Sequence, residues 1–205
     1  WQVLRDLADA PGDEVAQVRA EVAERGWGAA LLALQDADGQ WDGGTYRPGW
    51  VNQERPMFDA WSATHFSLQQ LRDFGLDPTD PAAISAIALV RENVRWEHAD
   101  EPYFEGETEP CINGIALAVG AYFEQDSAPI VTRLLAVQLD DGGWNCWAED
   151  GATVSSFHST ITALEGLLAW EQKHQPSPEI TQARIRGEEY LLQRGLLNRR
   201  STGAP

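Results

Sequence analysis

Apolar residues recur every three to four positions through most of the chain, the period of a helix with one buried face. The pattern predicts helices over residues 1–9, 13–25, 27–35, 57–74, 81–95, 110–124, 127–139, 154–172 and 178–194. Pro11-Gly12 separates the first two. Pro81, Pro110 and Pro178 sit where a first-turn proline is tolerated. Ser155 or Ser156 is placed to cap the helix that carries His158. No segment alternates with the period of a strand, so the predicted class is all-α. Connections alternate between short ones, at 75–80 and 125–126, and long ones, at 36–56, 96–109 and 140–153. The long loops are enriched in Gly, Trp, Asp and Glu and carry Cys146, the arrangement of a helical solenoid or closed toroid with functional loops on one face.

One segment occurs twice. LLALQDADGQWD spans 31–42 and LLAVQLDDGGWN spans 134–145. Each runs from an apolar helix into Gln (Gln35, Gln138), an acidic turn, Gly and then Trp (Trp41, Trp144). The two glutamines lie 103 residues apart, about twice a repeat of roughly fifty. A second register comes from CINGIALAVGAYF (111–123) set on HSTITALEGLLAW (158–170), which places Leu117 on Leu164, Asn113 on Thr160 and Cys111 on His158. Aligning DAWSATHFSLQQL by Leu68 and Leu71 adds Ser62 to that position. Ser62, Cys111 and His158 therefore share one helix-start position in successive repeats. In a closed ring, that position faces one mouth of the central cavity.

Composition narrows the function. The chain has 205 residues, 43% hydrophobic, which suits a globular domain with one sizeable core. It reads as one repeat domain over 1–205: leading helices at 1–26, repeats at 27–195, and a loop toward a further repeat at 196–205. A formal net charge of −17 argues against nucleic acid and anionic lipid surfaces as partners, and is otherwise a solvated surface. No apolar run approaches the roughly 20 residues of a transmembrane segment. No export signal is evident and residue 1 is Trp, which gives a cytoplasmic expectation and leaves room for missing sequence upstream.

The two cysteines, Cys111 and Cys146, carry the candidate chemistry. Zinc takes thiolate and imidazole, and a catalytic site commonly keeps three protein ligands and an open position. Cys111 and His158 are repeat-equivalent, and Cys146 lies in the loop just before the His158 helix, so the expected metal ligands are Cys111, Cys146 and His158. The partial positive charge of a helix N-terminus favours thiolate at Cys111. Glu109 is the best carboxylate to complete the set, with Glu107 and Asp141 next; these three are also the catalytic acid/base candidates. Buried core cysteines and a Cys111–Cys146 disulfide are the competing readings, with free thiols or ligands favoured because no secretion signal accompanies them.

The Gln–acidic turn–Gly–Trp segment resembles the QW motif of squalene and oxidosqualene cyclases. The helix with FHSTITALEGLL resembles the one that supplies a zinc-binding histidine in protein prenyltransferase β subunits. The stretch from RWEHADEPYFEGETEPCING through DGGWNCWAEDGATVSSFHSTITALEGLL also resembles bacterial squalene cyclase-like proteins. The resemblance covers roughly 27–195. It implies an (α/α)₆ toroid of twelve helices, of which about nine are present here, so an incomplete ring or an open arc is expected. In the prenyltransferases the zinc ligands are an Asp and a Cys at one inner helix start and a His at a later one. Cys111 and His158 match the last two by type, and Cys146 would replace the Asp. Class II cyclases protonate their substrate from a D-x-D-D run. This sequence has Asp36-x-Asp38 and Asp140-Asp141 instead.

Aromatic residues give a possible lining for an apolar, isoprenoid-type substrate, since aromatic faces stabilise cations. Trp61, Trp96, Tyr103 and Phe104, with Asn113 on a polar rim, are the candidates; the alternative for the loop aromatics is packing against helix ends. His65 and His98 are more simply read as a core residue and a loop hydrogen bonder. The expectation is a zinc-dependent cyclase- or prenyltransferase-like enzyme. The alternatives are a non-catalytic toroid with a structural metal that binds lipid or a partner protein, and a class II cyclase whose acidic motif lies outside these residues.

Overall fold

A computed structural model describes residues 1–50, 61–175, 177–196, 198–199 and 202–204. It is all-α. Nine α-helices appear among the described residues, together with a 3₁₀ turn at Tyr103–Glu105. Among the described residues an isolated bridge between Trp41 and Gly44 stands in place of strands. The chain forms two compact units, Trp1–Glu97 and His98–Pro205.

The first unit contains α1 (Gln2–Asp6), α2 (Gly12–Glu24), α3 (Gly26–Leu32), α4 (Thr64–Phe74) and α5 (Pro81–Asn93). Asp80 caps α5, accepting the Ala82 N–H at 2.8 Å, and Pro81 takes the first helical position. The predicted helix 57–74 starts only at Thr64 among the described residues, because Trp61–Ala63 form a turn and 57–60 lie outside them. Thr64 is fixed there by the loop before it: its Oγ1 accepts the Trp41 N–H at 3.0 Å and donates to the Gly44 carbonyl at 2.7 Å. Trp1 closes the other end of α4, its Nε1 donating to the Phe74 carbonyl at 2.6 Å.

The second unit contains α6 (Pro110–Tyr122), α7 (Ala128–Ala136), α8 (Phe157–Lys173) and α9 (Pro178–Gln193). Its centre is the packing of α6 on α8. These two helices meet at Gly114 and Gly166, where a Cβ on either would run into backbone of the other helix. Two side-chain-free positions thus bring the helix axes together, and α6 is buried almost throughout. Ser156 caps α8, accepting the Ser159 N–H at 3.1 Å. Glu171 near the end of α8 ties α9 to it through Thr181 and Arg184, each at 2.5 Å.

The repeated segment has one geometry in both units. Gln35 Nε2 donates to the carbonyls of Gly39 (3.1 Å) and Ala86 (3.0 Å). Gln138 Nε2 donates to those of Gly142 (2.7 Å) and Ala183 (2.8 Å). Each Gln thus closes its own turn and holds the helix that follows two elements later. The indoles repeat as well: Trp41 Nε1 donates to Leu31 O at 2.7 Å and Trp144 Nε1 to Leu134 O at 2.8 Å. The turn glycines Gly39 and Gly142 have φ of +88° and +97°, a conformation costly for any other residue. These bonds explain why the predicted helices 27–35 and 127–139 stop early, at Leu32 and Ala136: the Gln side chain serves carbonyls beyond its own helix.

Candidate functional site

The site begins at the N-terminus of α6. Glu109 is the residue before the helix, Pro110 opens it and Cys111 is second. Asn113, one turn in, grips the preceding loop: its Oδ1 accepts the Glu107 N–H at 2.8 Å and its Nδ2 donates to the Glu107 carbonyl at 2.6 Å. The Glu107 carboxylate turns inward and accepts the Glu109 N–H at 2.6 Å. Loop 106–109 is therefore held from both sides, and the Glu109 carboxylate comes to rest with Oε2 3.6 Å from Cys111 Sγ.

Cys146 arrives from the loop that follows Trp144. Its N–H donates to Ser159 Oγ at 3.1 Å, and the Ser159 hydroxyl donates to Cys146 Sγ, also at 3.1 Å. The Cys111 N–H points at the same sulfur, at 3.4 Å. The two sulfurs are joined as a disulfide, with Cα atoms 6.3 Å apart across 35 residues of sequence. This corrects the expectation of free thiols. The loop carrying Cys146 is drawn onto the α6 N-terminus by the close α6–α8 contact and by Ser159, none of which the cysteine spacing reveals. The ligand atoms of Glu109, Cys111 and Cys146 all lie within 4.8 Å of one another, a group able to hold a metal ion.

Of the predicted ligands, Cys111 and Cys146 come together and His158 does not join them: it is exposed in the first turn of α8. Successive helical residues are about 100° apart around the axis, so with Ser159 turned to Cys146 its neighbour turns away. Ser159 is the residue that sequence reasoning missed. It falls on Ile112 of α6 in the repeat alignment and on Ala63 before α4, and a hydroxyl in an otherwise apolar register was the available signal. Asp141 is held by Ser155, accepting its N–H at 2.9 Å as well as its hydroxyl. It also lines an open cleft of about 900 Å³ with Tyr190 and Arg194. Burial pushes the Tyr190 hydroxyl above its ordinary pKa.

The aromatic candidates divide between the units. Trp61 is half exposed, edge-on to Phe66 with ring centroids 4.8 Å apart, and lines a cleft of about 520 Å³ with Leu31, Leu34 and Trp41. Trp96 is buried in the same unit beside His65, at 5.5 Å. Tyr103 and Phe104 are buried in the second unit, ring against ring at 5.0 Å. Asn113 is buried with both ends of its amide on Glu107 backbone. His65 is a core residue whose pKa burial lowers to about 3, so it is neutral at physiological pH.

No helix among the described residues is long and apolar enough to cross a membrane. The chain matches no family model, no curated protein and no solved structure.

Proposed function

We propose that Glu109, Cys111 and Cys146, in their reduced and ionised forms, bind one zinc ion, and that the protein is an enzyme of the terpenoid cyclase/prenyltransferase-like kind acting on an apolar, isoprenoid-type substrate. The observation that carries this reading is the convergence of three ligand atoms within 4.8 Å at a helix N-terminus. Two thiolates and one carboxylate are a donor set that zinc accepts, and three protein ligands leave one position for a reacting group. The helix N-terminus favours the anionic ligands. The resemblance supports it further. Glu109 and Cys111 flank one helix start as the prenyltransferase Asp and Cys do, and Cys146 stands just ahead of the later helix. On this reading Glu109, rather than Cys146, takes the role of the prenyltransferase Asp.

A bound zinc ion would supply Lewis acidity toward a thiol, water or carbonyl. The chain's own residues prepare the place. Ser159 fixes Cys146 from behind, Glu107 and Asn113 fix the loop that presents Glu109, and Pro110 sets the entry to α6. Outer partners of this kind orient ligands and tune affinity.

A second reading is favoured by the Cys111–Cys146 pairing itself: a non-catalytic helical protein, stapled by a disulfide, that binds a lipid or a partner protein. The test is metal content by mass spectrometry on protein purified with a thiol reductant and without chelator, alongside Cys111→Ser, Cys146→Ser and Glu109→Gln. The zinc reading expects one zinc per chain, lost in both Cys variants and bound more weakly in the Glu variant. Metal-free wild type with an intact disulfide after reductant would establish the stapled protein instead.

A further inference from the structure

One backbone arrangement meets the distance requirements of a disulfide and of a metal site. The 6.3 Å Cα separation of Cys111 and Cys146 lies inside the range of about 4.4–6.8 Å that a disulfide spans. The three ligand atoms lie close enough to surround one tetrahedral ion. Neither state requires α6 or α8 to move. We infer that the Glu109–Cys111–Cys146 centre is redox-gated: a low-molecular-weight disulfide of the glutathione class oxidises the two thiolates to the Cys111–Cys146 disulfide, and the metal leaves. This rests on the zinc reading above and adds a control on the same site.

The two cysteines differ in exposure: Cys111 is buried and Cys146 is half-buried. Cys146 is also the sulfur on which two donors converge, the Ser159 hydroxyl and the Cys111 N–H. The less buried Cys146 thiolate attacks one sulfur of the small disulfide, whose S–S bond breaks and releases one small thiolate. The Cys111 thiolate, already in contact, then attacks the Cys146 sulfur of the mixed disulfide and displaces the second small thiolate. The protein sulfurs lose two electrons in all, the small disulfide gains them, and its two thiolates take up protons from water. A disulfide sulfur is a far poorer metal ligand than a thiolate, and Glu109 alone leaves one carboxylate, so the dication passes to solvent. Thiol reductant reverses every step.

The experiment loads the reduced full chain with zinc, removes the reductant without air, and titrates with glutathione disulfide. A chromophoric indicator reads released zinc, and intact mass reads the protein's thiol state. The expected result is one zinc released for each internal disulfide formed, with the mass falling by two hydrogens and zinc rebinding after reductant. Cys111→Ser should instead stop at a stable mixed disulfide on Cys146. Zinc that binds and then stays in place while both thiols survive excess oxidant would overturn the gate and leave the zinc reading standing. A reduced chain that forms the internal disulfide but never takes up zinc would overturn both. Two glutathione adducts without an internal bond would overturn the resolving role of Cys111.

Discussion

The two copies of the Gln–turn–Trp segment share the same hydrogen bonds but differ in the chemistry that follows them. In the first unit, Trp41 leads into a loop whose Thr45, Tyr46 and Arg47 N–H groups all converge on the Glu97 carboxylate, at 2.9, 2.9 and 3.1 Å. In the second, Trp144 leads at once to Cys146, Ser159 and the sulfur–carboxylate group. The helix that follows has a threonine in the same place in both, since Trp41 N and Trp144 N each donate to a Thr Oγ1 at 3.0 Å, on Thr64 and Thr160. The frame is thus built twice from backbone groups and a few side chains that close them. The residues free to vary sit between those fixed points, and they have become a carboxylate anchor in one unit and a disulfide beside a carboxylate in the other.

The comparison breaks most sharply at the indoles. Trp41 and Trp144 are both essentially inaccessible, and each donates to the helix before it. Trp41→Ala and Trp144→Ala should each cost about 3–5 kcal/mol in urea unfolding followed by circular dichroism. Clearly unequal losses would mean that the two frames are alike only in outline.

Position 65 sharpens it next. The register that gives Thr64 and Thr160 the same place aligns His65 of α4 with Ile161 of α8, so only the first unit has a titratable group at that position of the repeat. Its folded pKa is about 3 against an ordinary 6.5, so the native state requires the neutral ring. The stability this allows is complete above about pH 6.5 and declines as pH falls toward 3, by about 1.4 kcal/mol per pH unit. At about pH 4.5 the wild type should therefore have lost roughly 2–3 kcal/mol relative to His65→Phe, each referred to its own stability at pH 7. Denaturant midpoints at the two pH values measure this, and parallel losses in the two proteins would refute it.

The smallest effect is at the glutamines. Gln35→Ala and Gln138→Ala each remove one amide that serves two carbonyls, and should cost about 1–2 kcal/mol. Double variants within a unit, pairing Gln35 with Trp41, test whether the two side chains act together. Additive losses would show two independent contacts rather than one closure.

Much of the frame was legible because its determinants are local or periodic. Gln35, Gly39 and Trp41 recur as Gln138, Gly142 and Trp144, the first-turn prolines mark α5, α6 and α9, and Ser156 is one of two predicted caps. The site was legible only in part. Cys111, Cys146 and Glu109 were named, yet the α8 residue that meets Cys146 is Ser159 rather than His158, a difference of a single position. Periodicity locates a helix face to within about a turn, and one residue swings a side chain by about 100°. Aromatic residues posed a second difficulty. A tryptophan reads alike in sequence whether it lines a cleft, as Trp61 does, or is sealed inside, as Trp96 is. The state of the cysteines was least legible, because it depends on the redox surroundings as well as on spacing.

The contact between Gly114 and Gly166 has a consequence for how this centre can change over generations. Each glycine occupies room that the opposite helix would have to vacate for any larger residue. A lone substitution at either place therefore pushes α8 off α6 and loads the Cys111–Cys146 link between them, although neither cysteine has altered. Drift in the second unit is confined to routes that preserve both glycines together, so the most inert residues in the chain govern the setting of its two cysteines.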